Sequence, residues 1–126
     1  MFEFSSIEQY HASLKEEKTT CVQAVTHYLQ QIQSNKHLNA FVEVFAEEAL
    51  QQARELDAKR KTQAAPGRLH GVVIGLKDVI CYKDHRLSAS SNILKGFTSV
   101  YSATAVERLL AEEAIIIGSL NCDEFA

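Results

Sequence analysis

Lys77 is the residue whose position in the sequence most clearly points to chemistry. It directly follows residues 72–76, a continuously apolar and largely β-branched run of the kind that forms a strand covered on both faces. Sites in open α/β sheets form at the carboxyl ends of strands. A lysine held there is partly desolvated, and desolvation favours the neutral amine that can act as a base. The alternative interpretation is that Lys77 and Asp78 form a polar pair that marks where the strand meets solvent.

Hydroxyl and thiol groups are the other candidate nucleophiles. Ser88, Ser90 and Ser91 lie a little beyond the lysine. A serine becomes a nucleophile only with a base and an oxyanion hole, and no Gly-x-Ser-x-Gly elbow surrounds these three. We therefore interpret them as ordinary loop residues. Cys122 has no basic residue close in sequence that would favour its thiolate, so we interpret it as a free structural cysteine.

Metal sites, disulfides and membrane spans have no support in the sequence. The five histidines show no metal-ligand spacing, and the three cysteines are an odd number without a Cys-x-x-Cys pair. Free thiols favour a reducing compartment. The first residues resemble neither a secretory signal nor a transit peptide, and no apolar run approaches the roughly 20 residues of a membrane span. We expect a soluble, cytoplasmic protein.

The overall composition is that of an ordinary globular domain. The chain has 126 residues, of which 46% are apolar and 23% are charged. Its formal net charge is -3, and the two signs are interspersed. A direct nucleic-acid binder would show a basic stripe. We therefore expect any contact with nucleic acid to come mainly through a partner.

The first sixty residues predict helices. Capping-box patterns at Ser5-x-x-Glu8 and Thr20-x-x-Gln23 mark two helix starts, and apolar residues recur at helical spacing after each. Residues 35–39 break the pattern, and residues 41–44 form a brief extended piece. A third helix is predicted over residues 46–61, with a charged outer face.

The helical spacing of apolar residues ends at a Pro-Gly linker over residues 62–68. The apolar strand before Lys77 is followed by an irregular excursion over residues 81–101, and a third capping box, Thr104-x-x-Glu107, predicts another helix. Residues 115–118 form a second buried-type strand. Two apolar strands joined by a loop and a helix predict a βαβ unit with parallel strands and a right-handed crossover.

The predicted fold class is therefore α/β, with N-terminal helices over residues 1–62 followed by a βαβ unit over residues 69–126. Two strands alone make a poor sheet. A new element begins at residues 123–126. We expect the chain to be the N-terminal portion of a longer single domain and the start of its central sheet.

Several strings of residues resemble one known family. Residues 69–78 (LHGVVIGLKD) look like the Gly-[hydrophobic]3-x-[hydrophobic]-Lys-Asp segment of the amidase signature family. Residues 38–42 (LNAFV) are similar to the end of that family's early helices. Residues 104–109 and 114–118 match its ATVVERL and GAVILG stretches, and residues 121–126 resemble the segment that follows. The strings occur in the family's order and span nearly the whole chain.

The resemblance implies a mixed-sheet α/β/α fold and a serine–serine–lysine triad. Lys77 matches the triad lysine, which acts through a bridging serine that deprotonates the nucleophilic serine. Both serines belong to a Gly/Ser-rich region that the family places after residues 123–126. Lys77 is thus the only catalytic residue carried over, and no residue is assigned to a metal or a cofactor. We expect residues 1–126 alone to be inactive.

Within the family, the Asp-Glu-Phe-Ala of residues 123–126 is most similar to the glutamine-hydrolysing subunits of tRNA-dependent amidotransferases. Such a subunit takes ammonia from glutamine and has no cofactor of its own. It assembles with the B and C subunits of the amidotransferase, of which the B subunit holds Glu-tRNA(Gln) and uses ATP and Mg. The resemblance implies no membrane contact. The alternatives are another amidase-signature hydrolase acting on a small amide, and a non-catalytic α/β interaction module.

Overall fold

The computed structural model describes residues 1–62 and 65–126, and it arranges helices around a small mixed sheet. The helices in this part of the chain are α1 (Ile7–Lys15), α2 (Cys21–Ser34), α3 (Ala46–Arg60) and α4 (Thr104–Ala111). The strands are β1 (Phe41–Val44), β2 (Val73–Lys77) and β3 (Ile115–Leu120), and short 3-10 turns cover Lys36–Leu38 and Asn92–Leu94. The predicted linker over residues 62–68 lies partly outside the described residues.

The sheet has the strand order β1-β3-β2, and β2 pairs with β3 in parallel. The predicted parallel βαβ unit is thus confirmed, with α4 in the connection. The brief extended piece is β1, which pairs antiparallel with β3. Gly118 permits this approach, because a Cβ atom there would lie 2.5 Å from the Glu43 carbonyl oxygen. The sheet is therefore mixed, and its central strand is the last one in the sequence.

The two apolar strands differ in burial because of this order. In β3, the residues from Ile115 to Ser119 are all buried. The prediction that residues 72–76 form a strand covered on both faces is wrong, because β2 lies at the edge of the sheet and its first three residues, starting at Val73, are only half-buried. Only Leu76 is buried within β2.

Two apolar clusters hold the sheet against the helices. The larger one joins α1, α2 and α3 to one face of the sheet, and the helical stripes predicted for α1 and α2 supply Tyr10, Leu14 and Val25 of its buried members. Its buried members are Tyr10, Leu14, Cys21, Ala24, Val25, Ala49, Ala53, Val72, Ile115 and Ile117. The smaller cluster packs α4 and the residues after β2 against the other face, around Phe45, Leu76, Val106 and Ile116. Helices therefore cover both faces of β3.

The helix starts confirm one of the three predicted capping boxes and contradict the other two. At Thr20 both halves of the predicted capping box are present, so this box is confirmed. The first box is wrong by one residue, because Ser6 is the N-cap and its hydroxyl accepts from the Gln9 backbone N–H. The third is also wrong: α4 begins at Thr104 itself, so that hydroxyl is already inside the helix and cannot cap it.

A buried polar group anchors the beginnings of β2 and β3. The Glu113 carboxylate accepts hydrogen bonds from His70 Nδ1 at 2.5 Å and from the Gly67 backbone N–H at 2.8 Å, and it contacts the Lys59 ammonium group. Burial alone would raise the pKa of Glu113, but the bonds from Lys59, His70 and Gly67 outweigh it and lower the pKa to about 2. This carboxylate ties α3 to the segments that precede both parallel strands.

The two capping patterns at Thr20 and Thr104 make a matched pair for a stability test. Thr20→Ala removes a formed cap, so we expect the free energy of unfolding to fall by about 1 kcal/mol. Thr104→Ala removes an exposed hydroxyl that caps nothing, so we expect a change within about 0.5 kcal/mol. Urea unfolding of the purified chain measures both, and equal losses would contradict this assignment of the caps.

Glu113 predicts a pH dependence of stability. Its pKa falls from an ordinary 4.5 to about 2 on folding, so its contribution is complete above pH 4.5 and is lost as the pH falls toward 2. The difference corresponds to about 3 kcal/mol. We expect Glu113→Gln to lower the unfolding free energy at pH 7 and to flatten its decline between these pH values.

Glu107→Gln is the control for that experiment, because Glu107 is exposed on α4 and its side chain forms no hydrogen bond with the described residues. Urea unfolding at a series of pH values gives both slopes. An unchanged slope in Glu113→Gln would show that this carboxylate does not carry the dependence.

Candidate active site

Lys77 lies where the sequence places it, at the carboxyl end of β2 and in register with Leu120 of β3. Its amine is 3.7 Å from the Asp123 carboxylate, just beyond the end of β3. The Lys77 side chain is 46% exposed. The predicted desolvation of this amine is therefore not found within the described residues, because β2 lies at the edge of the sheet and its last residue is exposed.

Asp78 contradicts the interpretation of Lys77 and Asp78 as a polar pair facing solvent. The residue is only 2% exposed. Its carboxylate accepts a hydrogen bond from the Ser88 hydroxyl at 2.5 Å, two weaker contacts from the Ser88 backbone N–H at 3.3 Å, and one from the Ser119 hydroxyl at 3.1 Å. The carboxylate thus joins the end of β2 to β3 and to the following loop.

The serine-rich loop forms hydrogen bonds of its own. Ser90 Oγ donates to the Cys122 carbonyl oxygen at 2.5 Å, and Ser91 Oγ donates to Glu124 at 3.0 Å. In the part of the chain that the structure describes, none of the three serine hydroxyls bonds to Lys77. These contacts fit the interpretation of Ser88, Ser90 and Ser91 as loop residues with a structural role.

Two left-handed residues let this loop turn back toward the strand end. Ala89 and Ser90 have φ values of 50° and 52°, a conformation that costs energy for residues other than glycine. The turn is held from both sides, because the Ala89 N–H donates to the Asp78 carbonyl oxygen and the Phe125 N–H donates to the Ala89 carbonyl oxygen, each at 2.9 Å. Residues 121–125 are thereby tied to the loop beside Lys77.

Among the described residues, no cysteine or histidine side chain forms a hydrogen bond or ion pair with Lys77. Cys21 is buried, and burial together with the Asp57 carboxylate raises the pKa of its thiol to about 12. Cys122 is half-buried and free. His70 and His85 each meet a carboxylate: Glu113 for His70, and Glu48 at 2.7 Å for His85. Sequence reasoning missed these pairs because the partners lie 43 and 37 residues away.

Within residues 1–62 and 65–126, no group of three or more histidine, cysteine or acidic side chains could hold a metal ion. Among the same residues, none of the helices combines the length and the apolar character that crossing a bilayer requires.

The comparison with known protein families supports the resemblance seen in the sequence. The family model described as Amidase matches residues 23–126. The chain belongs to the amidase family. Its fold agrees with solved amidases. The native peptide amidase from Stenotrophomonas maltophilia is 29% identical with a TM-score of 0.88, and the match covers 97% of this chain and 26% of that one. An amidase family protein from Bacillus anthracis str. Ames is 25% identical, also with a TM-score of 0.88, over 97% of this chain and 25% of that one.

Two curated relatives of this chain carry the same name. The glutamyl-tRNA(Gln) amidotransferase A subunit of Chlorobaculum parvum is 48% identical over 124 residues. The protein of the same name from Chlorobium phaeobacteroides (strain BS1) is 44% identical over 123 residues. Each match covers 98% of this chain and 26% of the relative. The chain thus spans about a quarter of the length of these relatives, and its fold is a fragment of the larger amidase-signature fold.

Proposed function

We propose that this chain is part of the glutamine-hydrolysing A subunit of a tRNA-dependent amidotransferase, and that Lys77 is the base of its Ser-Ser-Lys triad. The observation that carries the proposal is the identity of 44–48% with proteins of that name, which extends over 98% of the chain. The similarity includes both strands of the βαβ unit and the residues that follow β3.

The reaction begins with Lys77 as the terminal base. Its neutral amine accepts a proton from a bridging serine, which in turn takes the proton of the nucleophilic serine. That serine attacks the side-chain amide carbon of glutamine. The proton held by Lys77 returns through the bridging serine to the leaving nitrogen as the C–N bond breaks, which releases ammonia and leaves an acyl-enzyme. Water then hydrolyses the ester to glutamate. In this proposal both serines lie in a segment that follows residues 123–126 in the family.

The geometry at the end of β2 supports the role of Lys77. The carboxyl ends of parallel strands are where open α/β sheets form their sites, and Lys77 is the last residue of such a strand. Its half-exposed amine is accessible to another part of a longer chain. Such a segment would remove the solvent from this amine and favour the neutral form that the mechanism needs.

The proposed partners are those that the family resemblance implies, and the names of the relatives and the charge of the chain support them. The A subunit would hydrolyse glutamine without a cofactor and pass the ammonia to the B subunit, which would hold Glu-tRNA(Gln) and use ATP and Mg. The C subunit would complete a cytoplasmic complex that acts in translation. The small net charge of -3 supports contact with tRNA mainly through the B subunit.

A second candidate is an amidase that acts on a small free amide. It is favoured by the similarity to the peptide amidase, at a TM-score of 0.88. Ammonia transfer that depends on Glu-tRNA(Gln) and on the B and C subunits would support the amidotransferase function. Equal turnover of small amides with and without these partners would favour the simple amidase.

Lys77→Ala tests the proposed base. We suggest a chimera in which this chain replaces the matching quarter of the Chlorobaculum parvum A subunit, assembled with the B and C subunits. Removal of a general base typically costs about a hundredfold to ten-thousandfold in rate, so we expect glutamate release from glutamine to fall by at least about a hundredfold. The melting temperature should change little, because the side chain is half-exposed.

Lys83→Ala is the matched control, because Lys83 is an exposed lysine in the loop after β2 and its amine forms no ion pair with the described residues. It should keep the wild-type rate. Near-normal turnover by Lys77→Ala in the folded complex would show that the assignment of the base is wrong.

Residues 1–126 alone should not hydrolyse glutamine, because the proposal places both triad serines outside them. The test is a glutaminase assay of the purified chain, with the assembled chimera as the positive control. Steady turnover by the chain that persists after further purification would contradict the proposed division of the triad.

A further inference from the structure

The carboxylate of Asp78 is buried, and its hydrogen bonds within the described residues come from neutral groups. The residue is 2% exposed, and no lysine, arginine or histidine of the described residues pairs with it. Its contacts are with the Ser88 hydroxyl, the Ser88 N–H and the Ser119 hydroxyl. Burying a carboxylate carries a large desolvation cost that such hydrogen bonds offset only when they are well made. An exposed polar residue would end the strand without that cost.

The backbone of Asp78 is bonded as fully as its side chain. Its N–H donates to the Leu120 carbonyl oxygen, and its carbonyl oxygen accepts from the Ala89 N–H, each at 2.9 Å. All the polar groups of this one residue therefore bond to β3 or to the loop at residues 88–89. These contacts leave little freedom to the peptide unit that joins Asp78 to Lys77.

The same contacts extend to the residue that faces the Lys77 amine. The loop held by Asp78 binds residues 121–125 through Ser90 and Ala89. Asp123 belongs to that segment, and its carboxylate is 3.7 Å from Lys77 Nζ. Contacts thus link Asp78 to the serine loop, the serine loop to residues 121–125, and Asp123 of that segment to Lys77. Both the backbone that carries the amine and the segment beside it depend on Asp78.

We propose that Asp78 is a positioning residue, whose buried hydrogen bonds to Ser88 and Ser119 set the direction of the Lys77 amine toward the serine from which it takes a proton. The inference rests on the proposed function of Lys77. Proton transfer requires heavy atoms within hydrogen-bond distance, and a displacement of about 1 Å can cost about a hundredfold in rate. A buried, multiply bonded carboxylate limits such displacement.

Asp78→Asn in the assembled chimera tests this role. Asparagine keeps the size of the side chain but offers one acceptor oxygen where the carboxylate offers two, so the three donors of Ser88 and Ser119 can no longer all be satisfied. Because Asp78 acts on the proton transfer and not on substrate binding, we expect kcat for glutamine hydrolysis to fall by about tenfold or more and KM to stay within about twofold.

Asp84→Asn is the matched control, since it makes the same change of charge six residues further along the same loop. Asp84 is exposed, and its side chain forms no hydrogen bond or ion pair within the described residues. It should leave kcat and KM unchanged. Wild-type kcat in folded Asp78→Asn would overturn the inference, and so would a loss of rate that the fraction of unfolded protein accounts for entirely.

Ser88→Ala and Ser119→Ala keep the test decisive if Asp78→Asn does not fold. Each removes one hydroxyl donor and leaves the carboxylate in place. We expect each to lower kcat at unchanged KM, by less than the loss in Asp78→Asn. Wild-type kcat in both serine variants would overturn the inference.

Lys77→Ala separates this inference from the proposed function. If Lys77→Ala abolishes hydrolysis while Asp78→Asn and both serine variants keep the wild-type kcat, the positioning role alone is wrong. If Lys77→Ala retains activity, the proposed base is wrong and the positioning role falls with it.

Discussion

The parallel pairing of β2 with β3 is the constraint on which the rest of this structure depends. It brings Lys77 beside Leu120 and places Asp78 next to Ser119, which is 41 residues away in sequence. Because β3 is also paired with β1, it is the central strand and the most buried one. Helices pack on both faces of this strand, so its position also determines where the two apolar clusters form.

A buried carboxylate stands at each end of this parallel pair. Glu113 lies before β3 and holds the segment that leads into β2 through His70 and Gly67. Asp78 lies after β2 and holds β3 through Ser119. Hydrophobic burial alone is non-directional and tolerates a shift of one strand along the other, whereas directional hydrogen bonds to a carboxylate do not. The two acids therefore help to define the register that places Lys77.

The serine-rich loop has a structural role in the fold. Its hydroxyls bond to Asp78, to the Cys122 carbonyl oxygen and to Glu124. The loop thus links the residues after β2 to those after β3, on either side of the proposed base Lys77. The position of Lys77 at the end of β2 is consistent with membership in the amidase family. The loop connects the residues beside Lys77 to the segment that follows β3.

The sequence by itself determined the features that depend on near neighbours. Patterns within a few residues predicted the α/β class and the candidate base. These patterns are the Thr20 capping box, the helical stripes, the apolar run of β3, the lysine after β2 and the ordered family strings.

Only the tertiary structure decided that β1 joins the sheet, that β2 lies at its edge, that Asp78 is buried and that His70 and His85 meet carboxylates. The physical reason is that burial and pairing depend on partners about 40 residues away or more, whose approach is set by the packing of the whole chain. One clue was present, since Ser119 continues an otherwise apolar strand and a buried hydroxyl needs a partner, but no local pattern could say that the partner is the acid next to Lys77.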